Sequence, residues 1–140
     1  MHFGLFRNDH TAKPSAVALR NLIAILRATG KPSVNRSEKG QMAVRLADLP
    51  VSGRSLLLQK QDGKFALALW NEVPFWDRAG GKPLNSPSAR VVVDFGKTAR
   101  VVNLYDPLVG TAPLFTQRNV SEMTVEVPDH PVLVEVTFPD

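Results

Sequence analysis

From Met42 onward, short apolar runs with period-two alternation are separated by turn signals, and this pattern restricts the chain to an antiparallel β architecture. In residues 132–138, Val132, Val134, Val136 and Phe138 point one way and Leu133, Glu135 and Thr137 the other, since successive strand side chains project to opposite faces. Met123, Val125 and Val127 alternate with Thr124 and Glu126 in the same manner. Residues 55–59 and 65–72 flank Asp62-Gly63, the strongest hairpin signal in the chain. Residues 89–95 and 99–105 flank Gly96-Lys97 and read as a second hairpin. A third pair, 123–127 and 132–138, spans Pro128-Asp129-His130-Pro131. With 42–47 as a first strand and 113–116 as a weak one, the expectation is an antiparallel β-sandwich of seven to eight strands.

One helix precedes the strands. Thr11 is the expected N-cap, and Pro14 is tolerated in the first turn. Ala16, Leu19, Leu22, Ile23 and Leu26 recur at helical spacing, with Arg20 and Arg27 on another face. Gly30 and then Pro32 stop the helix, predicted to run from Pro14 to Ala28. Residues 65–70 are apolar on both faces, so that strand needs a layer on its back, and the amphipathic helix is the candidate. The chain divides into 1–30 (N-terminal segment and helix), a polar connector 31–41, and the sandwich 42–140.

A length of 140 residues fits one domain and is too short for a (β/α)8 barrel, which needs about 250 residues. Without cysteine there is no disulfide framework, thiolate metal site or cysteine nucleophile. No apolar run approaches a membrane span, so no membrane partner is expected. Met1 to His10 lacks a signal-peptide pattern. The chain is therefore expected to be cytoplasmic if Met1 is the native start, or secreted if it is a fragment beginning downstream of that start. Residues 1–70 carry 11 basic against 4 acidic side chains, and residues 71–140 carry 6 against 9. The basic residues are spread singly, without the clustering that nucleic-acid binding requires, so a nucleic-acid partner is not expected.

Signatures of familiar chemistry are sparse. No nucleophile elbow, phosphate loop, dinucleotide fingerprint or zinc helix occurs, and no cofactor or metal is expected. His2, His10 and His130 are scattered; His10 beside Asp9 reads as a surface pair and His130 as a turn residue. Glu126 and Glu135 fall on polar positions of strands expected to be neighbours, as the paired carboxylates of a small glycosidase would. Aromatic rings offer the other carbohydrate signal. Trp70 reads as core, whereas Phe75 and Trp76 lie in a Pro/Gly-rich loop and, with Tyr105, are the candidate sugar-contacting residues. Asn35 and Asn119 open glycosylation sequons.

The run Phe3-Gly4-Leu5-Phe6-Arg7-Asn8-Asp9-His10-Thr11-Ala12-Lys13-Pro14-Ser15-Ala16 resembles the final strand-to-helix passage of (β/α)8-barrel glycoside hydrolases. Leu56-Leu57-Leu58-Gln59-Lys60 through Trp70-Asn71-Glu72, Val102-Asn103-Leu104-Tyr105-Asp106-Pro107 and His130-Pro131-Val132-Leu133-Val134-Glu135-Val136 resemble the C-terminal β-sandwich of such enzymes. The resemblance implies a helix-plus-sandwich piece without the barrel strands that carry the family's catalytic glutamates, so no catalytic residue transfers to this chain. It further implies a missing barrel as partner, self-association through the exposed helix, or a helix docked on its own sandwich. A free-standing carbohydrate-binding module with a glycan ligand is the alternative expectation, and a small glycosidase using Glu126 and Glu135 the second.

Overall fold

A computed structural model describes residues 4–27 and 42–139. The elements are α1 (Pro14–Leu26), β1 (Arg45–Ala47), β2 (Gly53–Gln59), β3 (Phe65–Asn71), β4 (Trp76–Asp77), β5 (Lys82–Pro83), β6 (Ala89–Tyr105), β7 (Phe115–Val127) and β8 (Val132–Thr137). Six strands form one antiparallel sheet in the order β1-β6-β8-β3-β2, with β7 also paired to β6; β4 and β5 form a separate two-stranded hairpin. The first half of β6 lies between β1 and the second half of β7, and its second half lies between β8 and the first half of β7. One strand thereby belongs to both layers, and the sheet curls into a sandwich.

The alternation predicted for the strands defines the core between those layers. Phe65, Leu67 and Leu69 of β3 and Val132, Val134 and Val136 of β8 meet Val91, Val93 and Phe95 of β6 and Met123, Val125 and Val127 of β7. Burying each of these side chains contributes about 1.5–3 kcal/mol. Phe138 closes one end, edge-on to Phe65 at 6.0 Å.

Three strand expectations are corrected. Gly96-Lys97 does not reverse the chain: residues 89–105 run on as one strand whose two halves share the partner β7. The register shifts between Asp94 and Ala99, with Gly96 at φ 73°. This is a bulge that bends a strand from one layer into the other. Of the expected strand 113–116, Phe115 and Thr116 belong with 123–127 to one run, β7, with Asn119 at φ 55° next to the irregularity. Residues 123–127 and 132–138 are not a hairpin, because β8 inserts between β6 and β3 and the intervening turn crosses from one layer to the other. The Asp62-Gly63 hairpin is as expected: β2 and β3 pair in unbroken register, with Gly63 at φ 83°.

Helix α1 lies on the back of β3 and β8, as the two-sided apolar character of β3 requires. Ile25 packs with Ala68 and Leu133, flanked by Leu22, Leu26, Trp70 and Tyr105. Ala68 leaves room there for the helix to approach. The buried face is rotated from the predicted stripe: Asn21 and Ile25 are buried, while Leu19 and Ile23 are exposed. Two polar contacts fix this rotation, Asn21 Nδ2 donating to the Pro107 carbonyl (2.9 Å) and Lys60 Nζ to the Ile25 carbonyl (3.0 Å). Thr11 is not the N-cap; that position is Lys13, and the Thr11 hydroxyl donates to Asp9 at 2.6 Å instead. The helix ends at Leu26, short of the predicted Ala28, because Arg27 is already extended and caps the last turn with its amide on the Ile23 carbonyl. The Gly30–Pro32 stop, the connector 31–41 and the Asn35 sequon lie outside the described residues.

Candidate functional site

The aromatic candidates separate into two places. Pro74 ends the run from β3, and residues 75–84 then turn back on themselves. Trp76 pairs with Pro83 and Asp77 with Lys82, the Leu84 amide donates to the Phe75 carbonyl (2.8 Å), and the Gly81 amide closes the turn on the Asp77 carbonyl (2.8 Å). The Asp77 side chain accepts from the Ala79 amide at 3.0 Å. Held off the sheet in this way, Phe75 is 68% and Trp76 48% exposed, with Leu84 exposed beside them. Each ring is thereby an exposed apolar platform on a hydrogen-bonded hairpin.

Tyr105 is not part of that hairpin. It ends β6 opposite Leu133 and packs into the cluster beneath α1. Burial, and secondarily the charge of Glu135, push its phenol above the ordinary value. Trp70 is half-buried in the same cluster, its indole N–H directed to Glu72 at 3.4 Å.

The structure does not bring Glu126 and Glu135 together as a pair. Their strands are not neighbours, since β7 pairs with β6 and not with β8. Glu126 is exposed, 3.9 Å from Arg90. Glu135, expected on a polar face, is buried in the helix-facing layer, where Lys60 Nζ donates to it at 2.6 Å and Asn103 Nδ2 at 3.4 Å. Lys64 Nζ lies 3.8 Å from its other oxygen. Glu135 thus holds the sheet to the C-terminal turn of α1 through Lys60. Sequence reasoning missed this contact because it joins residues 75 positions apart and nothing local marks Lys60 for burial.

A groove of about 260 Å³ between α1 and the loops at one end of the sandwich is lined by Ser15, Leu19, Leu22, Leu108, His130 and Pro131, among others. His130 and a serine share it, yet both imidazole nitrogens are engaged, Nε2 with Asp106 (2.9 Å) and Nδ1 with Asp129 (3.2 Å). Both ring nitrogens are thus directed at carboxylates and neither at Ser15. His130 instead ties the crossing turn to the loop that receives Asn21. Asp9 accepts from the Thr11 hydroxyl and amide, which hold its carboxyl below the ordinary value. His10 sits at φ 65° in the same turn. Among the described residues no group of three or more His, Asp or Glu is placed to hold a metal ion, and no helix is long and apolar enough to cross a membrane. His2 lies outside the described residues. Compared with known proteins, the chain matches no family model and no curated protein.

Proposed function

We propose that this chain is a non-catalytic accessory domain, the C-terminal β-sandwich of a (β/α)8-barrel glycoside hydrolase acting on polysaccharide or oligosaccharide, with the last barrel helix attached. The observation that supports this reading is the second apolar face of α1. Ile25 faces the sandwich while Leu19 and Ile23 are exposed, and Leu19 and Leu22 line an apolar groove with exposed Leu108. Contiguous apolar surface of this kind suits a buttress against a larger body. The test is hydrolysis by the purified chain on a panel of aryl glycosides and polysaccharides. Background rates are expected, and turnover abolished by Glu126→Gln or Glu135→Gln would overturn the reading in favour of a small glycosidase.

The exposed rings of Phe75 and Trp76 favour a second reading, a free-standing carbohydrate-binding module, because a flat ring stacks on the C–H face of a sugar. Titration with soluble polysaccharides tests it. Millimolar or tighter binding that is lost in Trp76→Ala supports the module, and binding unchanged in that variant removes the platform from consideration.

A further inference from the structure

Strand β2 ends the order of the six-stranded sheet, and no described strand pairs with its outer edge. Natural sheets blunt such edges with charge, proline, bulges or brevity. β2 has none of these between Ser55 and Gln59: it is seven residues long, keeps unbroken register with β3, and exposes Leu56, Leu57 and Leu58 in succession. Of the cations bordering this stretch, Lys60 is drawn inward to Glu135 and Arg54 is paired with Glu72, just past the end of β3.

The hydrogen-bond phase of this edge follows from its ends. The Glu72 amide donates to the Ser52 carbonyl and the Lys60 amide to the Lys64 carbonyl, whereas the amides of Gly53 and Asn71 bond to Pro50 and Pro128. Even-numbered residues of β2 therefore exchange hydrogen bonds with β3, and Ser55, Leu57 and Gln59 direct their N–H and C=O groups outward. Side chains sort by the same parity. Leu56 and Leu58 register with Ala68 and Ala66 on the α1 side, and Leu57 registers with Leu67 on the core side.

We infer that β2 pairs with β2 of a second copy of this chain, antiparallel, about a two-fold axis at Leu57. In that register Leu57 faces Leu57, Leu56 faces Leu58, and Ser55 faces Gln59, so across residues 55–59 apolar meets apolar and polar meets polar. Arg54 and Lys60 fall opposite each other at the ends, each engaged by a carboxylate of its own copy. The outward groups of Ser55, Leu57 and Gln59 fall opposite one another and close about six hydrogen bonds. A shift of the axis to Leu56 sets Leu58 against Arg54 and Leu57 against Ser55, losing that match. The interface is isologous and self-limiting, since the two-fold axis uses the same edge of both copies and leaves neither β2 free. The inference stands apart from the accessory-domain reading, which concerns α1.

The test is sedimentation of the full chain from micromolar to millimolar concentration. The expected result is a reversible dimer, and a monomer throughout overturns the proposal. Leu57→Pro removes an outward N–H without touching the β2–β3 ladder, and Leu57→Lys places a charge at the axis. Each is expected to weaken association at least about a hundredfold. Should the proline variant fail to fold, the lysine variant decides. Leu19→Lys and Ile23→Lys on α1 are expected to leave the dimer intact; loss of the dimer there overturns the proposal in favour of association through the helix. The chain has no cysteine, so Leu57→Cys reports register directly. Facing residues of an outward pair lie about 5.5 Å apart at Cα, within disulfide reach, and oxidation is expected to trap the dimer. Leu56→Cys, offset by two residues from its own mate, is not. Trapping by Leu56→Cys and not by Leu57→Cys overturns the register.

Discussion

Replacing Lys60 by methionine is expected to destabilise the protein through a contact joining three elements. The lysine and glutamate side chains are 4% and 7% exposed, and Nζ divides its protons between Glu135 at 2.6 Å and the Ile25 carbonyl at 3.0 Å. Removing one partner of a buried pair leaves the other charge uncompensated, at a cost of about 3–5 kcal/mol. Lys64, 3.8 Å from the same carboxylate, and Asn103 offset part of this, which sets the expectation near the low end, about 3 kcal/mol. For a chain of this length that is a fall in Tm of roughly 10 °C. Glu135→Leu strands the ammonium group in the same way and is expected to cost a similar amount. The double variant Lys60→Met/Glu135→Leu removes both charges and is expected to recover most of the loss, because apolar replacement of a buried pair is about neutral. Denaturant titration of the wild type, both single variants and the double variant closes the cycle. Single variants within about 0.5 kcal/mol of wild type, or a double variant as unstable as the sum of the singles, would refute the reasoning.

Gly96→Ala forces a Cβ to 2.9 Å from the Ala43 carbonyl oxygen at a backbone φ of 73°, so a loss of about 1–3 kcal/mol is expected in the same titration. Leu69→Ala, at a fully buried position between the layers, is expected to cost about 2–5 kcal/mol, whereas Trp76→Ala on the exposed hairpin stays within about 0.5 kcal/mol. Tyr105 is the only tyrosine, so phenolate absorbance titrates it alone; its midpoint is expected above 10.0, falling but not fully normalising in Glu135→Gln. A phenol raised in the folded state favours folding below its ordinary value. Tyr105→Phe should therefore lessen the loss of stability as pH rises through the Tyr105 midpoint, by chemical denaturation at alkaline pH.

What could be read from the sequence and what could not divide along a physical line. Period-two alternation is a local property, so the inward faces of β3, β7 and β8, the turn at Gly63 and the need for a layer behind Ala66 and Ala68 were all legible. Pairing is not local. Gly96 carries the same signal whether it reverses a strand or bends it, and here the partner β7 is long enough to follow the bend. The rotation of α1 is set by Pro107 and Lys60, which its own periodicity cannot register, so Leu19 and Ile23 were assigned to the buried stripe and stand in solvent. At the candidate site, Phe75 and Trp76 were legible because Pro74 ends the strand before them, whereas Tyr105 and Glu135 sit on residues whose burial depends on the helix above.

The two apolar clusters of this fold lie on opposite faces of one sheet and differ in size. The larger joins β3, β6, β7 and β8; the smaller holds α1 through Ile25, Ala68 and Leu133. Cooperative unfolding units follow such divisions, so the helix is expected to lift away at a lower free energy than the sandwich opens. Amides of α1 should then exchange with solvent through that opening, at a lower free energy than those of β6 and β8, whose release requires breaking both layers at once. With the helix lifted away, Ala68 and Leu133 are uncovered, and the surface exposed by the departing helix matches in shape the surface that departs.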